Sequence, residues 1–248
     1  MPNHISNRLV ITANSAEELN AFLTAIQGKE KINGDYSAID FNNIIPMPEE
    51  LRHTSASSDT ENGIYYYLVK TNQEELLKTI LRCPEVYSMD RFKEFSPEEM
   101  EKLFAIGEKY VGIFKRHGAK DWYDWSYANW GTKWNAYETN IGEIDEYSVV
   151  IIFQTAWSGV PNIIAKLTEM YPTITFDYKY ADEDMGYNCG EGYGEDGEFS
   201  FLMLQGGSED AMRTYALCWD YDFDVFYQDD EGHWHNREWE DDEEDDND

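Results

Sequence analysis

Apolar positions change period several times along this chain, and each change marks an element. Residues 4–13 alternate, with Ile5, Leu9, Val10 and Ile11 among polar neighbours, which predicts a strand. Ser15 followed by Glu18 reads as a capping box. Leu19, Phe22, Leu23 and Ile26 then recur at helical spacing, so a helix is expected over 16–26, with Gly28 as its stop. Residues 40–48 are expected to be extended, because Pro46 and Pro48 restrict the residues before them. Residues 52–63 read as a polar loop. From Thr71 to Gly118 the period is helical: Leu76, Leu77 and Ile80 belong to one helix over 72–82. Ser96, Pro97 and Glu99 open another that carries Met100, Leu103, Phe104, Ile106, Tyr110, Val111 and Phe114. A Trp-rich loop follows over 121–137. The run 146–155 is apolar throughout and predicts a central strand. Asn162–Met170 is a helix by its spacing, and 173–181 alternates again. Further strands are expected over 198–204 and 217–228. The order β-α-β, helical insert, β-α-β with extra strands predicts an α+β fold. It is a ferredoxin-like split βαβ antiparallel sheet with helices on one face, a helical insertion at about 71–118 and an acidic C-terminal β extension. The expected organisation is a ferredoxin-like domain over 1–185, the acidic extension of the same domain over 186–237, and a disordered acidic tail over 238–248.

Charge changes this picture more than composition does. The chain has 248 residues, a net charge of −31, 42% hydrophobic and 15% aromatic residues, which is enough apolar material for a packed core. Half of its 50 acidic residues lie between Asp177 and Asp248, with only Lys179, Arg213 and Arg237 to balance them. Such a field repels nucleic acids and anionic membranes and attracts basic proteins. Cys83, Cys189 and Cys218 have no paired or zinc-binding spacing and read as three reduced thiols. No segment reads as a signal sequence or a membrane span, so a cytoplasmic location in a bacterial host is expected.

Several segments carry candidate chemistry. Trp125, Trp130, Trp134, Tyr123, Tyr127 and Tyr137 crowd one stretch around Asn129-Trp-Gly-Thr-Lys-Trp134. The cluster suits either a stacking pocket for a planar ligand, with Lys133 facing a phosphate, or a plug at one end of a sheet. Asn42, Asn43, Asn129, Trp130, Lys133, Trp134, Thr155 and Trp157 are the residues expected to line such a pocket. Gly186–Gly197 holds five glycines but lacks the Gly-Lys-Ser/Thr ending of a phosphate loop. Asp182, Asp184, Glu191 and Asp196 supply oxygens for calcium without EF-hand spacing, so a mobile hairpin loop is the expectation there. His4 reads as a hydrogen-bonded structural residue, and His117 as a cation at a helix end. Asp220, Asp222 and Asp224 alternate with Tyr221, Phe223 and Val225. On a strand they form a row of carboxylates about 6.6–6.8 Å apart, either a solvated face or a phosphate-like row extended by Asp229, Asp230 and Glu231.

Four motifs occur in order: Ser6-Asn-Arg-Leu9 behind Met-Pro-Asn-His, Phe41-Asn-Asn-Ile-Ile-Pro-Met-Pro48, Asn129-Trp-Gly-Thr-Lys-Trp134 and Phe153-Gln-Thr-Ala-Trp157. Together they resemble the YubB-type ferredoxin-like domain family, over roughly residues 1–185, with the helical insert matched only loosely. The chain departs from that pattern at Ser158-Gly-Val-Pro161, and its acidic C-terminal third lies outside the resemblance. The resemblance implies a ferredoxin-like fold and a plasmid- or phage-encoded protein, and it supplies no catalytic residues. The resulting expectation is a non-enzymatic protein without cofactor or metal. Its acidic surface (Asp220, Asp222, Asp224, Asp229, Asp230, Glu231) would engage a basic, nucleic-acid-binding host protein as a DNA-mimic-like, anti-defence inhibitor. It would bind neither nucleic acid nor membrane directly. The rival expectation is a small-ligand or nucleotide module built on the loop 121–137.

Overall fold

The computed structural model describes residues 3–29, 31–32 and 35–237, and the acidic run 238–248 lies outside them. It divides into two compact units, residues 1–46 with 129–248, and residues 47–128.

The first unit opens with β1 (His4–Thr12), α1 (Ala16–Ile26) and two short paired strands, β2 (Lys31–Ile32) and β3 (Asp35–Tyr36). Ser15 Oγ accepts the Glu18 N–H at 3.2 Å, as the capping box requires. The Glu18 carboxylate reaches one residue further back, to the N–H of Asn14 at 2.9 Å. Residues 40–48 are not extended throughout. Asp40 accepts the Asn42 N–H and starts a 3-10 turn, Phe41–Asn43, so a local side-chain cap prevails over the reach of the downstream prolines.

The second unit is helical: α2 (Glu49–Arg52), α3 (Ser58–Lys70), α4 (Leu77–Ile80), α5 (Pro97–His117) and α6 (Trp122–Asn129), with 3-10 turns between α3 and α5. α3 begins inside the segment expected to be a polar loop, because Ser57 caps it and Ile64, Tyr66 and Leu68 give it a buried face. α6 occupies the first half of the expected Trp-rich loop. Asp121 Oδ1 accepts the Asp124 N–H at its start. α5 has the predicted start, a complete Ser96–Glu99 capping box with Pro97, and it ends on Gly118 at φ 73°. α3 and α5 approach backbone to backbone at Gly63 and Gly107. A Cβ on Gly107 would lie 2.1 Å from the Gly63 carbonyl oxygen.

The chain then returns to the first unit with β4 (Tyr137–Glu143), β5 (Ser148–Ala156), α7 (Pro161–Met170), β6 (Thr175–Asp182), β7 (Gly190–Glu195), β8 (Glu198–Met203), α8 (Glu209–Cys218), β9 (Phe226–Gln228) and β10 (Trp234–Asn236). Six strands form one antiparallel sheet in the order β4-β5-β1-β6-β7-β8. The run β1-α1-β4-β5-α7-β6, with β1 and β5 in the middle, is the split βαβ plan of a ferredoxin-like fold. The register places Ile5, Asn7, Leu9 and Ile11 of β1 on one face with Thr155, Phe153, Ile151 and Val149 of β5 and with Tyr180, Tyr178 and Phe176 of β6. α1 and α7 cover that face. α8 packs on the other one, where Ser6 Oγ donates to the Cys218 carbonyl at 2.5 Å and Ala181 and Cys189 join Met212, Tyr215 and Phe226 in a separate core. Helices therefore lie on both faces.

β7 and β8 correct the reading of the glycine-rich stretch as a loop. They form a hairpin around Asp196-Gly197, both at positive φ (52° and 81°), a two-residue turn that matches strand twist. Gly190, Gly192 and Gly194 fall on one face of β7, and something lies across each. A Cβ would meet the Tyr180 and Phe201 rings at Gly190, the Phe199 ring at Gly192 and Thr168 at Gly194, all within 2.9 Å. The glycines make room for aromatic rings, which is one of the uses of glycine inside a strand.

Candidate interaction surface

The residues expected to line one pocket separate into buried and surface groups. Trp130 is buried, donates its indole N–H to the Ile45 carbonyl at 2.9 Å and meets Phe41 edge-on. Trp125 is buried as well. Asn43 donates to the Gln27 carbonyl at 2.7 Å and so closes the end of α1, while Asn42 bonds Asp40. Asn129 ends α6. Thr155 is fully buried: its hydroxyl donates to the Ser158 carbonyl at 2.7 Å and accepts from Asn7 Nδ2 at 2.9 Å. Asn7 in turn accepts the Tyr178 hydroxyl at 2.6 Å, and Tyr178 accepts the Val160 N–H at 2.7 Å. Burial pushes the Tyr178 phenol well above its ordinary range, so it stays a donor. This chain of bonds locks β1, β5 and β6 to the start of α7. Five of the eight residues thus serve the fold: Asn42, Asn43, Trp130, Thr155 and, as the last residue of a helix, Asn129.

The other three stay together at the surface. Lys133 Nζ sits 4.6 Å from the Trp134 ring centre and 5.0 Å from that of Trp157, whose side chains are 38% and 40% exposed. Trp157 holds a left-handed backbone at φ 71°, uncommon for a bulky residue. Its N–H donates to the Asn3 carbonyl and its carbonyl accepts from Asn188. Beside it, Tyr137 bonds His4 Nδ1 at 2.8 Å and donates to the Thr155 carbonyl at 3.2 Å. Burial pushes its phenol up to about 12. His4 is thus a hydrogen-bonded structural residue. The chain's own lysine fills the space between the two exposed indoles, as a cation over two ring faces.

The acidic residues do not form the expected strand row. α8 runs to Cys218, and Asp220 turns the chain at φ 59°. Asp222 caps a 3-10 turn, Phe223–Val225, that contains Asp224. The alternation with Tyr221 and Phe223 arises from rings packing against α8 and not from strand pleating. Asp229 is a turn anchor: the His235 ring and the N–H groups of His233 and Glu231 hold its carboxyl well below the usual range. Asp220, Asp222, Asp224, Asp230 and Glu231 are exposed. Two of the four calcium candidates are already engaged: Asp182 is buried and accepts from Asn3, Asn188 and the Asp184 N–H, and Glu191 pairs with Lys179 at 2.6 Å. Among the described residues, no cluster of His, Cys, Asp or Glu is arranged to hold a metal ion, and no helix is long and apolar enough to cross a membrane.

One surface escaped the sequence reading altogether. The sheet face opposite α1 and α7 is open beyond the reach of α8, and there the register aligns Ile152, Arg8, Lys179, Glu191 and Leu202 across five strands. A shallow pocket of about 350 Å³ lies at its β8 end, lined by Asp177, Lys179, Glu191, Tyr193, Ser200 and Leu202 among others. Only strand register assembles these residues, so spacing along the chain carries no sign of them.

Residues 133–230 match the family model described as the ferredoxin-like domain in Api92-like protein. That match runs from the Trp loop through the acidic region, past residue 185 where the motif resemblance ended. No curated protein matches the chain. The crystal structure of a protein api92 from Yersinia pseudotuberculosis aligns with 84% of this chain and 100% of its own, at 10% identity and a TM-score of 0.39. The region from β4 to β9 is accordingly similar to the ferredoxin-like domain of Api92-like proteins, on a chain whose α+β architecture is ferredoxin-like.

Proposed function

We propose that this chain is a non-enzymatic interaction protein of a plasmid or phage, akin to the YubB-type proteins. On this reading its acidic C-terminal third occupies the nucleic-acid-binding surface of a basic host protein, a defence component by class. The observation that carries the reading is the exposure of its carboxylates. Of the sixteen between Asp177 and Glu231, all but Asp182, Glu191 and Asp229 are exposed. Both lysine and arginine cations in that span, Lys179 and Arg213, are already paired, with Glu191 and Glu209. The field is therefore left uncompensated and acts over a Debye length of about 8–10 Å at physiological salt. Such a field speeds encounter with a basic partner and makes the complex salt-sensitive.

The test is capture from bacterial lysate with the full chain and a variant carrying Asp220→Asn, Asp222→Asn, Asp224→Asn, Asp230→Asn and Glu231→Gln. Asn keeps the cap at 222, and the turn anchor Asp229 is untouched. The expected result is a nucleic-acid-binding protein held by the wild type, released by moderate salt or duplex DNA, and lost with the variant. Capture indifferent to salt, to DNA and to the substitutions would overturn the proposal.

A further inference from the structure

We infer that β8 is a docking edge which takes up an extended segment of a partner protein as a seventh strand, and that this segment alternates basic and apolar residues. The inference rests on the partner being basic, and it names the part of the partner that is bound.

β8 is one of the two outer strands of the six-stranded sheet, β4 being the other. Its pairing with β7 is unbroken from Glu198 to Met203, and Leu204 N–H continues it to the Cys189 carbonyl at 3.0 Å. Antiparallel pairs alternate between bonded and non-bonded positions. With Leu204 bonded inward and Glu198 closing a two-residue turn, residues 198, 200, 202 and 204 spend their backbone groups on β7. Phe199, Phe201 and Met203 then turn theirs to the open edge. Exposed edges are normally blunted by lysine, proline or a bulge. β8 has none of these, and Leu202 and Met203 are 58% and 55% exposed.

The flanking chemistry selects the occupant. On one face of β8 stand Phe199, Phe201 and Met203, which offer an apolar strip to the next strand. On the other stand Glu198, Ser200 and Leu202, with Glu195, Tyr193 and Glu191 of β7 behind them and Asp177 beyond. The 350 Å³ pocket opens on that second face. A lysine or arginine from a seventh strand can lay its stem over Ser200 and Tyr193 and bring its charge to Glu198 or to Glu195 one strand further in. Side chains alternate across a strand, so the segment carries cations on one face and apolar groups on the other. Lys179, the cation in the pocket, is already paired with Glu191. A second copy of this chain is disfavoured as occupant by its own charge of −31.

The probe is a synthetic peptide of alternating lysine and valine, titrated into the full chain at moderate salt, with amide hydrogen exchange read in parallel. A peptide of equal charge with proline at every valine position is the control, since it lacks half the ladder donors. Expected is saturable binding, at least about tenfold tighter than for the control, with new exchange protection at Phe199, Phe201 and Met203 only. Met203→Pro removes an outward donor at a position where an edge tolerates proline, and Leu202→Lys places a cation at the pocket mouth. Each is expected to weaken binding about tenfold or more while melting as the wild type does. If one fails to fold, the other decides. Equal binding of both peptides, or protection spread over α8 and the β9–β10 hairpin, would reduce the contact to charge attraction and overturn the inference. A salt-induced dimer broken by Leu202→Lys would do the same by giving the edge to a second copy. Failure here alongside loss of the host partner in the acidic variant refutes only the edge. Failure of both refutes the basic-partner reading too.

Discussion

The glycine at 194 offers a sharp test of why β7 is built as it is. Glycine inside a strand is disfavoured against alanine by about 0.5–1 kcal/mol, so Gly194→Ala ought to stabilise a strand that had room for it. Here the added Cβ would lie 2.2 Å from Thr168 Oγ1 and 3.0 Å from its Cγ2. Thr168 is fully buried on α7 and its hydroxyl donates to the Ile164 carbonyl at 3.0 Å, so it has no open direction in which to retreat. Overpacking of this kind costs about 1–3 kcal/mol. Subtracting the propensity gain leaves a net loss of up to about 2.5 kcal/mol, or a fall of up to about 10 °C in Tm for a chain of this size. Thr168→Ala alone loses one buried methyl, about 0.8 kcal/mol, and regains part of it in helix propensity. The double variant keeps only the contact to the alanine Cβ, at 3.2 Å, which a small shift relieves. It is expected to be no less stable than Thr168→Ala alone, giving a favourable coupling of about 1–2 kcal/mol in a denaturant-unfolding cycle. Strict additivity, or a stabilising Gly194→Ala, would refute the claim that contact with α7 selects this glycine.

Three further outcomes follow from the same geometry. In α5, Gly107→Ala drives a methyl into the Gly63 carbonyl and is expected to destabilise by about 1–3 kcal/mol. Gly112→Ala in the same helix meets only the tip of Arg116 at 3.3 Å and is expected to stabilise by up to about 1 kcal/mol, both read by thermal melts. Hydrogen bonds from Arg116, and next from His117, lower the Glu50 carboxyl from 4.5 to about 2. A depressed carboxylate contributes stability above its unfolded value and loses it as pH falls, so the Tm gap between wild type and Glu50→Gln is expected to close between pH 4.5 and about 2. A gap independent of pH would show that the charge is irrelevant. Burial pushes the Cys189 and Cys218 thiols up to about 12, whereas Cys83 is exposed. Titration of the native chain with a thiol reagent is expected to show one fast-reacting group, and denaturant to release two more.

How much of this was legible in the sequence depends on whether an element carries its own reason for existing. β1, α1, α5, β5, α7 and β6 do. Their apolar period matches their geometry, and Ser15, Ser96 and Gly118 mark ends that local hydrogen bonding enforces. That was enough for the split βαβ order and hence the fold class. The misread elements take their reasons from elsewhere in the chain. Gly190, Gly192 and Gly194 look like a loop until Phe199, Phe201 and Thr168 are laid over them. α8 has a Ser208 cap and buried Ala211, Met212 and Tyr215, but acidic alternation downstream masked its period and suggested a strand instead.

The candidate site divides along the same line. Asp220, Asp222 and Asp224 were found by composition, because charge is additive and needs no geometry, and for the same reason composition could not place them. The Trp loop was found by density, yet density does not separate a buried plug such as Trp130 from an exposed ring such as Trp134. The open face of the sheet was not found at all. Arg8 and Lys179 are 171 positions apart and become neighbours only through the β1–β6 register. A usable signal was present nonetheless. Glycine at every second position from 190 to 194 is the period of a strand with one face emptied. Phe199 and Phe201, at the same spacing after an Asp-Gly turn, announce what fills it. Read as a pair, the two runs predict a hairpin with an aromatic outer strand, and that strand is the edge on which the docking inference stands.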